Sequence, residues 1–199
     1  MTDVLPSTPE GIARAAELLR SGAVVAFPTD TVYGVGVDGA RLDLLQALFD
    51  LKRRPLDRRI PMLVTGLDQA IDAGWDADDR ARALAGRFWP GALTLVLRRA
   101  EGSQAFRAPD HPVALALIRA AGPIYATSAN ISDQPDTLGA DDVLIAFATD
   151  QDGLAAVIDG GAVPGGVAST VLDLTATPAR VLREGPITAT QLAELIELV

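Results

Sequence analysis

Residues 23–27, Ala-Val-Val-Ala-Phe, are apolar without alternation. A strand of this kind needs cover on both faces, which restricts the chain to folds with layers on either side of a sheet. A helix pattern precedes it: Thr8 can cap, Pro9 sits in the first turn, Ile12, Ala15, Ala16 and Leu19 form an apolar stripe, and Gly22 ends it. Further helices are predicted over residues 42–51, 77–88, 112–121 and 141–148, and strands over 61–65, 93–97, 124–126, 155–158, 170–174 and 180–182. A capping box, Thr188 with Gln191, opens a final helix. The interleaving predicts an α/β fold, a sheet layered with helices. The last three strands have no helix between them, which argues against a purely parallel sheet.

At 199 residues and 49% hydrophobic, the chain can bury one sizeable core, and one domain over residues 1–199 is expected. No cysteine is present, so disulfides and thiolate metal sites are excluded. The chain has neither a basic and apolar leader pattern nor a run of about 18 apolar residues, and a soluble cytoplasmic protein is expected. Against a formal net charge of -9, five of the 17 basic residues, Lys52, Arg53, Arg54, Arg58 and Arg59, fall between positions 52 and 59. A local positive spot on an acidic protein suits a small polyanion better than a nucleic-acid backbone. The bland reading is a solvated helix C-terminus, where cations meet the macrodipole favourably.

Three segments could face a ligand. Residues 28–34, Pro-Thr-Asp-Thr-Val-Tyr-Gly, follow the 23–27 strand at the end where α/β sheets place ligands, although a Thr/Asp-rich turn would look the same. Residues 125–130, Tyr-Ala-Thr-Ser-Ala-Asn, end another strand in small hydrogen-bonding groups. The glycine-rich stretch from Asp159 to Thr170 could approach an anion through its backbone or be a plain surface loop. Arg183 could close on a phosphate or pair with Glu184. Gly34, Gly36 and Gly39 match G-x-G-x-x-G, but six residues separate them from the strand, so they do not form a dinucleotide fingerprint. The sole histidine, His111, sits in Asp-His-Pro at a helix start, and no spacing resembles a metal site or a serine or thiol hydrolase.

Taken in order, Pro28-Thr29-Asp30-Thr31-Val32-Tyr33-Gly34, Lys52-x-Arg54-Pro55, Trp89-Pro90-Gly91-x-Leu93-Thr94, Arg107-x-Pro109-Asp110-His111-Pro112, Thr127-Ser128-Ala129-Asn130 and Ser169-Thr170-Val171-x-Asp173 resemble the YrdC/TsaC family. The resemblance spans about residues 10 to 185. It implies a twisted mixed α/β sheet flanked by helices around a large concave site, in the short form without the extra C-terminal domain of longer relatives. It also implies a nucleotidyltransferase activity: L-threonine, bicarbonate and ATP give L-threonylcarbamoyl-AMP and pyrophosphate. The product feeds a threonylcarbamoyl transferase complex that modifies adenosine 37 of tRNA.

Residue by residue, the resemblance assigns threonine contacts to Thr31, Arg107, Ala126 and Ser169. ATP contacts fall to Lys52, Arg54, Arg58, Ser128, Asn130 and Arg183, with Lys52 and Arg54 as the catalytic pair, both expected near the surface. Mg²⁺ is expected on the ATP phosphates, without side-chain ligands. Closure over ATP is expected from residues 55–59 or 160–166. Three positions depart from relatives: Leu63 stands where some carry His, Ala168 where Glu is common before Ser-Thr-Val, and Asp133 where Gly is usual. The alternatives are a YciO-like paralogue, which would lack the K-x-R and S-x-N pairs found here, and an RNA-binding module. The charge of -9 argues against RNA binding as the main role and leaves room only for weak tRNA binding.

Overall fold

The computed structural model describes residues 2–53, 60–148, 153–165 and 167–199. Its strands are β1 (Asp3–Pro6), β2 (Val24–Phe27), β3 (Gly34–Asp38), β4 (Met62–Leu63), β5 (Leu93–Arg99), β6 (Gly102–Arg107), β7 (Ile124–Ser128), β8 (Leu154–Asp159), β9 (Thr170–Asp173) and β10 (Arg180–Arg183). Its helices are α1 (Pro9–Arg20), α2 (Leu45–Lys52), α3 (Leu67–Asp72), α4 (Asp79–Phe88), α5 (Pro112–Ala121), α6 (Ala140–Ala146) and α7 (Ala189–Ala193). The strands form one mixed sheet in the order β1-β8-β2-β3-β7-β4-β6-β5-β9-β10.

Strand β2 is buried at every position, and its side chains divide between two cores. Val25 and Phe27 join Ala15, Ala16 and Leu19 of α1 and Leu117 and Ile118 of α5 on one face. Val24 and Ala26 join Leu48 of α2, Leu84 of α4 and Val143 of α6 on the other. The unalternating strand is therefore covered twice, as its composition requires. Helix α1 starts as expected, with the Thr8 hydroxyl accepting from the Gly11 amide.

Four elements escape a reading of local pattern. Strand β1 has an exposed edge side, α3 is only six residues long, β6 lacks a clean alternation, and β3 runs through glycines. In β3 the glycines serve close packing. A Cβ on Gly36 would lie 2.6 Å from Ile124 Cγ2 and 2.7 Å from the Tyr125 carbonyl oxygen of β7. The G-x-G-x-x-G pattern thus lies mostly on a central strand, paired antiparallel to β2 and β7, and not on a phosphate loop.

The face covered by α1 and α5 continues past β7 onto β4, β6, β5, β9 and β10. There polar side chains such as Thr94, Arg107 and Arg183 are mixed with apolar ones such as Leu63, Val96 and Leu182, and a cleft of about 580 Å³ opens over them. Two cis peptide bonds, Trp89-Pro90 and Thr177-Pro178, lie in connecting segments. Among the described residues no helix is long and apolar enough to cross a membrane.

Candidate active site

One wall of the cleft is the 28–34 loop. Thr29 Oγ1 donates to the Val32 carbonyl at 2.7 Å, which spends its only proton. The 3.2 Å contact between Thr31 Oγ1 and Thr29 Oγ1 must then be donated by Thr31. Thr31 Oγ1 in turn accepts from the Arg107 Nη1 group at 3.2 Å. Arg107, at the end of β6, also gives Nε–H to the Gly91 carbonyl at 2.9 Å and pairs through Nη2 with Asp30 Oδ1 at 2.7 Å. The guanidinium is locked by three residues, and its remaining N–H groups stay available to an anion such as a carboxylate.

The opposite wall is built by the start of β9 and by β10. Ser169 Oγ meets Thr94 Oγ1 of β5 at 2.8 Å and accepts from Arg183 Nη2 at 3.3 Å, while Arg183 Nε donates to the Ser169 carbonyl at 3.0 Å. A bulge between Val181 and Arg183 sets Arg183 opposite Val171, the place Leu182 would take in a regular ladder. That one-residue slip turns Arg183 to the cleft. The Arg183 guanidinium is pushed below the ordinary arginine value, first by burial and then by the positive charge of Arg107, and Asp136 offsets part of this. An arginine so placed remains cationic and brings a positive charge to the cleft.

The end of β7 supplies the floor. Ala126 and Ser128 line the cleft together with Thr31, Arg107, Ser169 and Arg183, so six of the residues singled out from sequence converge. Lys52 and Asn130 stand behind Ser128. Lys52 is only 1% exposed, which corrects the expectation that it lies near the surface. Its ammonium donates to the Ser128 carbonyl, to the Asn130 carbonyl at 2.5 Å and to Asn130 Oδ1 at 3.2 Å. The Asn130 amide is engaged as well, Oδ1 accepting from Ser128 Oγ at 2.7 Å and Nδ2 donating to the Gln134 carbonyl at 2.5 Å. A buried ammonium has to be compensated by oxygens, and the carbonyls of this turn provide them.

Arg54 and Arg58, and the closure segment 55–59, lie outside the described residues. Of the three departures, Leu63 and Ala168 line the cleft and bring no polar contact of their own. Asp133 adopts φ +64°, the left-handed conformation that glycine fills most easily. Reading single segments assigned no role to Asp30, Thr94 or Tyr33, because what each does depends on a partner 75 or more positions away. His111 caps α5, its Nδ1 accepting from the Val113 amide at 3.3 Å. Burial pushes this imidazole below its ordinary value against the pull of Asp30 and Asp110.

A family model for Sua5, YciO and YrdC proteins, described as telomere recombination, matches residues 17–185, which takes in both walls and the floor. The chain belongs to the Sua5/YciO/YrdC family. A Bacillus subtilis relative named threonylcarbamoyl-AMP synthase is 42% identical over 209 residues, covering 98% of this chain and 59% of that one. An Escherichia coli relative of the same name is 34% identical over 152 residues, covering 69% of this chain and 80% of its own. The crystal structure of Pyrococcus abyssi Sua5 complexed with L-threonine superimposes with a TM-score of 0.89 at 33% identity, over 100% of this chain and 62% of that one. The chain thus spans about three fifths of the Bacillus and Pyrococcus relatives. The twisted mixed sheet with flanking helices is the fold of this family.

Proposed function

We propose that this chain, read as one YrdC-like domain, is an L-threonylcarbamoyladenylate synthase. The observation that carries the reading is the convergence of two arginines and three hydroxyl residues, Arg107, Arg183, Thr31, Ser128 and Ser169, on one cleft. At about 580 Å³ it has room for an amino acid together with a nucleotide. The names of the family relatives point the same way.

In this reading Arg107 holds the threonine carboxylate with its free N–H groups, and Thr31, Ala126 and Ser169 complete the amino-acid pocket. The amine nitrogen of threonine bonds to the bicarbonate carbon and water leaves, giving a carbamate. A carbamate oxygen then bonds to the α-phosphorus of ATP as the bond to pyrophosphate breaks. Positioning and charge neutralisation dominate such a displacement, so a cleft without cysteine is adequate. Ser128 and Arg183 face the nucleotide. Lys52 and Asn130, buried behind Ser128, serve ATP binding by fixing the turn that presents it. Arg54 and Arg58 keep their place as phosphate contacts in the proposal, which does not depend on them.

Mg²⁺ enters as part of Mg·ATP. In this reading the ATP phosphates carry the ion, and no side chain of the cleft is assigned to it. The product, a mixed anhydride, would be consumed by a threonylcarbamoyl transferase complex acting on tRNA in the cytoplasm.

The test is pyrophosphate release from Mg·ATP with bicarbonate, with and without L-threonine, and with D-threonine as control. Release that requires both bicarbonate and L-threonine supports the proposal. Folded protein that releases none refutes it.

A further inference from the structure

Tyr33 is fully buried, and packing alone would accept phenylalanine there. Its hydroxyl is nevertheless bonded in both directions, donating to the Gly161 carbonyl at 2.8 Å and accepting from the Gly160 amide at 3.2 Å. A buried hydroxyl without partners is costly, so this pair of bonds is what makes tyrosine tolerable at the position. Burial also raises its pKa, which keeps the proton it donates.

The main chain of the same residue reaches the other loops of the cleft. The Tyr33 amide donates to the Thr137 carbonyl at 2.9 Å, and the Tyr33 carbonyl accepts from the Ala129 amide at 2.7 Å. Ala129 belongs to the turn that presents Ser128, and Thr31 lies two residues before Tyr33. Gly160 and Gly161 open the segment that leads to Ser169 on the far wall. That segment is costly to order, with Gly161 at φ +78° and Gly165 at φ +71°. Gly160 also presses on the first loop so closely that a Cβ there would lie 2.6 Å from Pro28 Cγ.

We propose that Tyr33 is a positioning residue: its hydroxyl ties the glycine segment after β8 to the 28–34 loop, so that the two walls of the cleft keep one spacing. The proposal rests on the synthase reading for what is positioned, and on geometry alone for the clamp. It touches no substrate. Its loss therefore has to act on threonine and ATP together, because it loosens the walls relative to each other. Loss of a contact on one wall would act on one substrate.

The test is Tyr33→Phe, which retains the ring, read by amide hydrogen exchange and by steady-state kinetics. Exchange at Gly160 and Val163 is expected to quicken about tenfold, with Val35 of β3 unchanged as internal control, in line with about one net hydrogen bond's worth of opening. The KM values for L-threonine and for ATP are expected to rise together, with kcat/KM falling about tenfold. Unchanged exchange at Gly160 overturns the clamp. Lost protection with unchanged kcat and KM values overturns the positioning role. If the variant does not fold, Gly160 in the unaltered chain decides, since exchange there at the rate of an unstructured peptide overturns the proposal. An unaltered chain that makes no threonylcarbamoyl-AMP would sink the synthase reading and the positioning role with it, while the exchange rates would still decide whether the clamp exists.

Discussion

Lys52 is the position where the structure changes an expectation most. A lysine near the surface could be replaced by alanine at little cost to the fold, but this ammonium is buried and gives protons to three oxygens of the 128–130 turn. In Lys52→Met the stem volume is kept, while those oxygens lose a charged donor. Bonds to a charged group contribute roughly 1.5–3 kcal/mol each. Three would exceed 4 kcal/mol were it not for the several kcal/mol spent on burying the charge, which the variant recovers. Relaxation of the neutral carbonyls lowers the figure further, and a net loss of about 3 kcal/mol is expected. For a chain of this size that corresponds to a drop of roughly 6–12 °C in Tm. Urea unfolding of Lys52→Met beside the unaltered protein measures it, and ATP affinity should fall because the turn presenting Ser128 is loosened. A stability change below about 1 kcal/mol would refute the account of Lys52 as a buried clamp.

Thr31→Ala removes an acceptor of Arg107 and the donor to Thr29. It should raise the KM for L-threonine about fivefold or more and leave that for ATP nearly unchanged; equal losses in both would contradict the placement of threonine. Gly36→Ala forces a methyl within 2.7 Å of the Tyr125 carbonyl oxygen, and a destabilisation of at least about 1–3 kcal/mol is expected in thermal unfolding. For His111, the folded pKa lies below the unfolded value of 6.5, so the unfolded chain takes up the proton first. Its contribution is complete above that value and declines as the pH falls toward the folded pKa. Urea midpoints should therefore drop on acidification below about pH 6.5, and His111→Asn, which can still cap, should flatten that slope. An identical slope in the variant would refute the assignment.

Local pattern along the chain accounts for the individual elements and for the chemistry on offer. Thr8 and Pro9 start α1 because capping and a preset φ act within one turn. Val24–Phe27 had to be covered on both faces because nothing in it is polar. The ordered motifs include several residues that line the cleft, among them Thr31, Arg107, Ser128 and Ser169, since hydroxyls and arginines at strand ends are visible wherever the strand goes. Other features depend on partners far along the chain and are visible only once the sheet is assembled. Gly34–Asp38 reads as a loop until β2 and β7 flank it and supply the hydrogen bonds and burial its own side chains do not. Arg183 faces the cleft because β10 bulges against β9, and a one-residue slip inverts sidedness without leaving a mark in composition. Lys52 looks like an exposed cation at a helix end. It is buried because a turn about 76 positions further on turns its carbonyls inward, and a charge can be buried only where such oxygens already wait.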